Sequence, residues 1–136
     1  MIRVLLADDH EFLRSTLAEL LTASGCITVV AECSEGDEVV AAAERANPDV
    51  AILDLAMPRQ SGLQAARSLL SVRPGARIIL LTAHLSPAAV KDAHELGLAG
   101  CLLKGADPDA LVGHVRAVAA GGTAWSATAL ASVAPR

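Results

Sequence analysis

The sequence contains no apolar stretch approaching the roughly eighteen unbroken residues that a membrane-spanning helix requires. Its start, Met1-Ile2-Arg3-Val4-Leu5-Leu6, runs directly into Asp8 and Asp9, too short and too soon acidic for a secretory signal. A cytoplasmic protein with no membrane partner is the expectation. Cysteine is sparse: Cys26, Cys33 and Cys101 are odd in number and form no CxxC pair. That argues against a disulfide framework and against a zinc site, and reduced, buried thiols are expected. The chain also lacks a basic surplus. Its formal net charge is −4 with Lys and Arg scattered, so it has no concentrated positive surface of the kind nucleic-acid binding needs. Neither a GxxxxGK[ST] phosphate loop nor a GxSxG elbow occurs, which sets aside P-loop and serine-hydrolase chemistry. His10, His84, His94 and His114 show no ligand spacing. Surface or partly buried structural roles are expected for them, with His10 and His84 placed to border a polar crevice.

What is present is a fivefold alternation of short apolar runs and longer amphipathic segments, in a length suited to one domain. Val4–Ala7, Ile27–Ala31, Val50–Leu53, Ile78–Leu81 and Gly100–Leu103 read as strands. Four are almost continuously apolar, as parallel strands covered on both faces must be; the fifth is weaker, holding a glycine and a cysteine. Between them, helical spacing aligns Leu13, Leu17, Leu20 and Leu21; Val39, Val40, Ala43 and Ala46; Ala66, Leu69 and Leu70; Val90, Ala93 and Leu96; and Leu111, Val115 and Val118. Punctuation agrees. Gly25 and Asn47-Pro48 close the first two helices, Ser61, Ser86-Pro87 and Asp107-Pro108 open the last three, and Gly97 ends the fourth. Five βα units with right-handed crossovers give an α/β, doubly wound parallel sheet flanked by five helices.

In such sheets the ligand crevice lies beyond the carboxyl ends of the strands. The residues delivered there are Asp8 and Asp9 from the first strand, Asp54 from the third, Thr82 from the fourth and Lys104 from the fifth. Crowded carboxylates need a cation among them, and a hard divalent ion such as magnesium, with oxygen ligands, satisfies that need. Lys104 adds a point charge. A carboxylate is also a nucleophile that forms aspartyl-phosphates, and metal and lysine together neutralise charge on a transferred phosphoryl group. Thr82 can hydrogen-bond a phosphoryl oxygen, and the small Ala83 beside it leaves access. An aspartyl phosphohydrolase would need a second acid two residues after the nucleophile, where Ala56 stands.

Asp8-Asp9, Asp54, Met57-Pro58 followed by Gly62, Thr82-Ala83 and Lys104 resemble, in order and spacing, the response-regulator receiver (CheY-like) pattern. Val4-Leu5-Leu6-Ala7-Asp8-Asp9-His10 and Leu81-Thr82-Ala83-His84 resemble its NarL/FixJ (LuxR-type) subfamily in particular. The resemblance covers about residues 1–120. It implies the strand order 2-1-3-4-5 and a phosphoryl group accepted by Asp54 from a sensor histidine kinase. It also implies magnesium bound by Asp9, Asp54 and the backbone carbonyl of Ala56, with Asp8 acting mainly through water. Lys104 and Thr82 would contact the phosphoryl group and relay its arrival. Two positions depart from the family. Cys101 stands where an aromatic residue usually swings inward, and Gly105 stands where a proline usually follows the lysine. The first keeps a non-phosphorylated pseudo-receiver as the alternative. The apolar faces of the first and fifth helices are expected to support a homodimer on phosphorylation. DNA would be reached only through an output domain that this chain does not carry. Residues 121–136, with Trp125, Leu130 and Val133, are expected to be a linker or a short docking helix.

Overall fold

The five apolar runs become parallel strands, each followed by a helix. The computed structural model describes residues 1–105 and 107–126. Its elements are β1 (Ile2–Ala7), α1 (Glu11–Ala23), β2 (Ile27–Cys33), a 3-10 turn (Gly36–Glu38), α2 (Val39–Ala46), β3 (Val50–Asp54), α3 (Gly62–Val72), β4 (Ile78–Thr82), α4 (Pro87–Glu95), β5 (Gly100–Leu103), α5 (Pro108–Ala119) and β6 (Ala124–Trp125). The sheet order is β2-β1-β3-β4-β5-β6, all parallel. The expected order 2-1-3-4-5 is thus present, with one short strand added. Among the described residues no helix is long and apolar enough to cross a membrane.

Alternation along the strands builds two cores. Leu5, Ala7, Leu53 and Leu80 face Val39, Ala42, Ala65, Leu69, Val90 and Ala93, which places α2, α3 and α4 on one side. Val4, Leu6, Ile52, Ile79 and Leu81 face Leu21, Leu111, Val115 and Val118, which places α1 and α5 on the other. Every residue of β3 and β4 is buried, the reason their sequences show no polar alternation. Helix ends follow the local chemistry. Ser61 and Gln64 form a reciprocal capping box on α3, the Ser86 side chain accepts the Ala89 N–H, and Asn47 closes α2 in the left-handed region at φ 49°.

Only part of the expected α1 face is covered. Leu21 is fully buried, but Leu13, Leu17 and Leu20 are half-buried. They line, with Leu111 and His114 of α5, an apolar groove of about 380 Å³. Periodicity had marked an apolar stripe; the groove beside α5 leaves Leu13, Leu17 and Leu20 of it partly open.

The sixth strand depends on Gly100. A Cβ there would lie 2.0 Å from the carbonyl oxygen of Ala124, so the weak, glycine-bearing character of the fifth run is what admits a neighbour. The Ala124 N–H donates to the Ala99 carbonyl at 2.8 Å and the Ser126 N–H to the Cys101 carbonyl at 3.2 Å. Trp125, half-buried opposite Cys101, packs on the α4 side with its ring 5.7 Å from that of His94. Trp125 itself thus lies in a strand, not in a helix. Leu130 and Val133 lie outside the described residues.

Candidate functional site

Register brings the polar residues to one level. Ala7 pairs with Leu53, so the next residues, Asp8 and Asp54, stand side by side at the ends of β1 and β3. Asp54 pairs with Leu81 and Thr82 with Leu103, so Thr82 and Lys104 continue the row across β4 and β5. Ladder bonds run on into this row. The Asp8 N–H donates to the Cys33 carbonyl at 3.0 Å, and the Lys104 N–H to the Thr82 carbonyl at 2.7 Å. Gly105, at φ +81°, then turns the chain away in a conformation that disfavours side chains with a Cβ.

The centre is an ion-paired triad. Lys104 Nζ lies 2.9 Å from Asp8 Oδ2 and 3.1 Å from Asp54 Oδ2. Asp8 is 1% and Asp54 4% exposed, so two carboxylates share one ammonium almost out of water. Their second oxygens take backbone donors: Asp8 Oδ1 accepts the His10 N–H at 2.9 Å, and Asp54 Oδ1 the Ala56 N–H at 3.3 Å. Burial pushes the Asp54 carboxyl above its ordinary 3.8; the Lys104 contact opposes this and the Asp8 charge reinforces it. For Lys104, burial favours the neutral amine, but the two carboxylates outweigh it and hold the pKa above the usual 10.5.

The sign of the Asp54 shift gives a testable pH dependence. The unfolded chain releases this proton first, so stability falls as pH rises from 3.8 through the higher folded value, then levels off. Asp54→Asn removes that loss. In urea titrations of magnesium-free protein the variant is expected to gain on wild type across this window and to stay more stable at pH 7. Parallel pH profiles would contradict the assignment.

The other expected residues are placed as follows. Asp9 is exposed at the rim, and Asp8, Asp9 and His10 each offer one ligand atom, all within 4.8 Å of one another. His10, expected to border the crevice, thus lies beside these two acids. Thr82 is 5% exposed, and its hydroxyl donates to the His84 carbonyl at 2.9 Å while accepting the His84 N–H at 3.2 Å. Ala83 is exposed beside it. Cys101 does not reach the crevice; it sits in the apolar core on the α4 side, its thiol pushed up to about 11 by burial. Arg14 was missed by sequence reasoning. Its Nη1 donates to the Asp8 carbonyl at 2.6 Å and its Nε lies 3.3 Å from Glu32 Oε1. A signal existed: one turn into α1, a side chain leans back toward the helix start and so over the Asp8–His10 turn.

The donor chemistry fits a hard cation. Asp8 Oδ2 is buried and meets Lys104 by charge, without an aligned hydrogen-bond donor among the described residues, so it retains acceptor capacity. Three carboxylates from two neighbouring strand ends, with backbone carbonyls near them, are the oxygen ligands magnesium takes.

A parallel sheet with a carboxylate–lysine crevice at its strand ends is the architecture of receiver signalling domains. The chain belongs to the response regulator receiver domain family, whose pattern matches residues 4–116. It is 38% identical over 121 residues to the DNA-binding transcriptional activator DevR/DosR of Mycobacterium tuberculosis, covering 89% of this chain and 56% of that protein. It is 36% identical over 121 residues to the response regulator UvrY of Escherichia coli, again 89% of this chain and 56% of the relative. A LuxR-family two-component response regulator from Aurantimonas superposes with a TM-score of 0.91 at 31% identity, covering 97% of this chain and 94% of that one. These relatives place the chain among LuxR/NarL-type receivers, and receivers are signalling domains, not enzymes of the ordinary kind. The chain spans about half the length of the curated relatives it matches.

Proposed function

We propose that Asp54 accepts a phosphoryl group from the phosphohistidine of a sensor kinase and relays its arrival through Thr82. The observation that carries this reading is the Lys104 bridge between Asp8 and Asp54, which leaves a buried carboxylate beside a fixed positive charge. An Asp54 carboxylate oxygen attacks phosphorus, the P–N bond breaks, the imidazole leaves, and an acyl phosphate remains. Lys104 neutralises charge on the phosphoryl oxygens. Asp9, Asp54 and the Ala56 carbonyl, with Asp8 behind them, are the residues that would hold magnesium, which supplies further positive charge there.

Thr82 is bonded in both directions to His84, so its hydroxyl cannot reach a phosphoryl oxygen without releasing the loop into α4. With Cys101 in place of an aromatic residue, that loop is the switch. Self-phosphorylation from a small donor and autodephosphorylation belong to the same chemistry. Incubation with magnesium and acetyl phosphate should add one phosphoryl group by intact mass, absent in Asp54→Asn and absent without magnesium. Folded, magnesium-binding protein that gains no mass would favour the pseudo-receiver.

The partial opening between α1 and α5, next to the 85% exposed Phe12, supports homodimerisation on that face when Asp54 is loaded. DNA would then be engaged by an output domain in a longer protein. Sedimentation should show a monomer that dimerises with beryllium fluoride; a monomer in both conditions rejects the face as a dimer interface.

A further inference from the structure

Asp8 is held on every polar atom. Cys33 takes its N–H, His10 and Lys104 take its carboxylate oxygens, and Arg14 takes its carbonyl. Of these, only the Arg14 contact joins the acidic turn to both flanking elements, since Arg14 stands on α1 and its Nε faces Glu32 at the end of β2. We propose that Arg14 is a positioning residue that fixes the Asp8–His10 turn for cation binding, a role that rests on the reading of the crevice as a magnesium and phosphoryl site.

The guanidinium is committed to this place. Its side chain is 15% exposed, and Nη1 meets the Asp8 carbonyl at 2.6 Å, a short, charge-assisted hydrogen bond. The Nε is buried and near Glu32 without the alignment of a hydrogen bond, so that contact acts by charge. Of the contacts made by Asp8, the Arg14 bond is the one on the carbonyl of the peptide that leads into Asp9. No side-chain cap secures the start of α1 at His10; within the turn the His10 N–H donates to Asp8 Oδ1, and the Arg14 N–H donates to the His10 carbonyl at 2.9 Å. Loss of Arg14 would leave the Asp8 carbonyl to water and free the peptide between Asp8 and Asp9 to rotate. The ligand atoms of Asp8, Asp9 and His10, now within 4.8 Å of one another, would then spread. A bystander cation predicts the opposite sign. Removing a positive charge beside Asp8 and Glu32 would, by electrostatics alone, tighten binding of a second cation in the crevice.

Two measurements on wild type, Arg14→Met and Arg14→Lys separate these readings: the magnesium dissociation constant by calorimetry, and amide hydrogen exchange at His10 in magnesium-free protein. The positioning role predicts an affinity about tenfold weaker in Arg14→Met, the scale typical of groups that orient ligands without touching the metal. His10 exchange should accelerate while Ile52 and Leu53 in β3 stay protected, and Arg14→Lys, with one donor able to reach the carbonyl, should recover part of both. Unchanged or tighter magnesium binding with unchanged His10 exchange overturns the proposal. Wild-type protein that binds no magnesium would instead defeat the reading of the crevice. His10 exchange would then still decide whether Arg14 holds the turn.

Discussion

Replacing Lys104 with methionine should destabilise the magnesium-free protein by about 3–5 kcal/mol at pH 7, the range found when one partner of a buried ion pair is removed. The lysine side chain is 15% exposed and touches two carboxylates that are each almost fully buried. Without it, Asp8 and Asp54 face one another with no cation between them, and neither can turn to water. The loss should shrink as pH falls into the carboxylate range, because a protonated Asp54 no longer repels Asp8. Magnesium should restore part of it. The double variant Lys104→Met/Asp54→Asn should recover most of the stability, giving a large coupling in a double-mutant cycle from urea unfolding. Additive losses would mean that the two side chains do not act as a pair.

The second large effect is expected at Gly62, the first residue of α3. A Cβ at this position would lie 2.4 Å from the backbone carbonyl oxygen of Asp54 and 2.9 Å from the Leu55 Cα. The Gly62 N–H also donates to the Leu55 carbonyl at 2.9 Å, so helix and nucleophile loop are locked backbone to backbone. Gly62→Ala should cost about 2–3 kcal/mol by overpacking. The rate of phosphoryl uptake from acetyl phosphate should fall on the order of a hundredfold, because a shift of about an ångström at the reacting carboxylate suffices for that. Gly113→Ala is the control. It lies in α5 with nothing within 4 Å of the added carbon, and should gain about 0.5–1 kcal/mol from helix propensity. A Gly62→Ala protein with wild-type uptake would show that the loop yields without moving Asp54.

Much of this was legible in the sequence for a physical reason. Parallel strands buried on both faces must be apolar throughout, so Val50–Asp54 and Ile78–Thr82 announce themselves, and the first polar residue after each run falls at the strand end. That rule alone gathers Asp8, Asp54, Thr82 and Lys104. It says nothing about side chains that return from a helix, and Arg14 reaches the site that way. Nor does periodicity say what covers a stripe: Leu13, Leu17 and Leu20 have helical spacing identical to that of buried leucines, yet α5 does not close over them. The two residues of β6 are too few to carry a pattern. Their signal was indirect, residing in Gly100 on the neighbouring strand.

That two-residue strand also decides which surface the sheet offers to other chains. The carbonyls of Ala99 and Cys101 are occupied by Ala124 and Ser126. A polypeptide cut at residue 120 would present them, along a short apolar strand, as an open template for any extended segment nearby. Ala124 and Trp125 thus act as a selvedge, the finished border that keeps one molecule from being woven into the next.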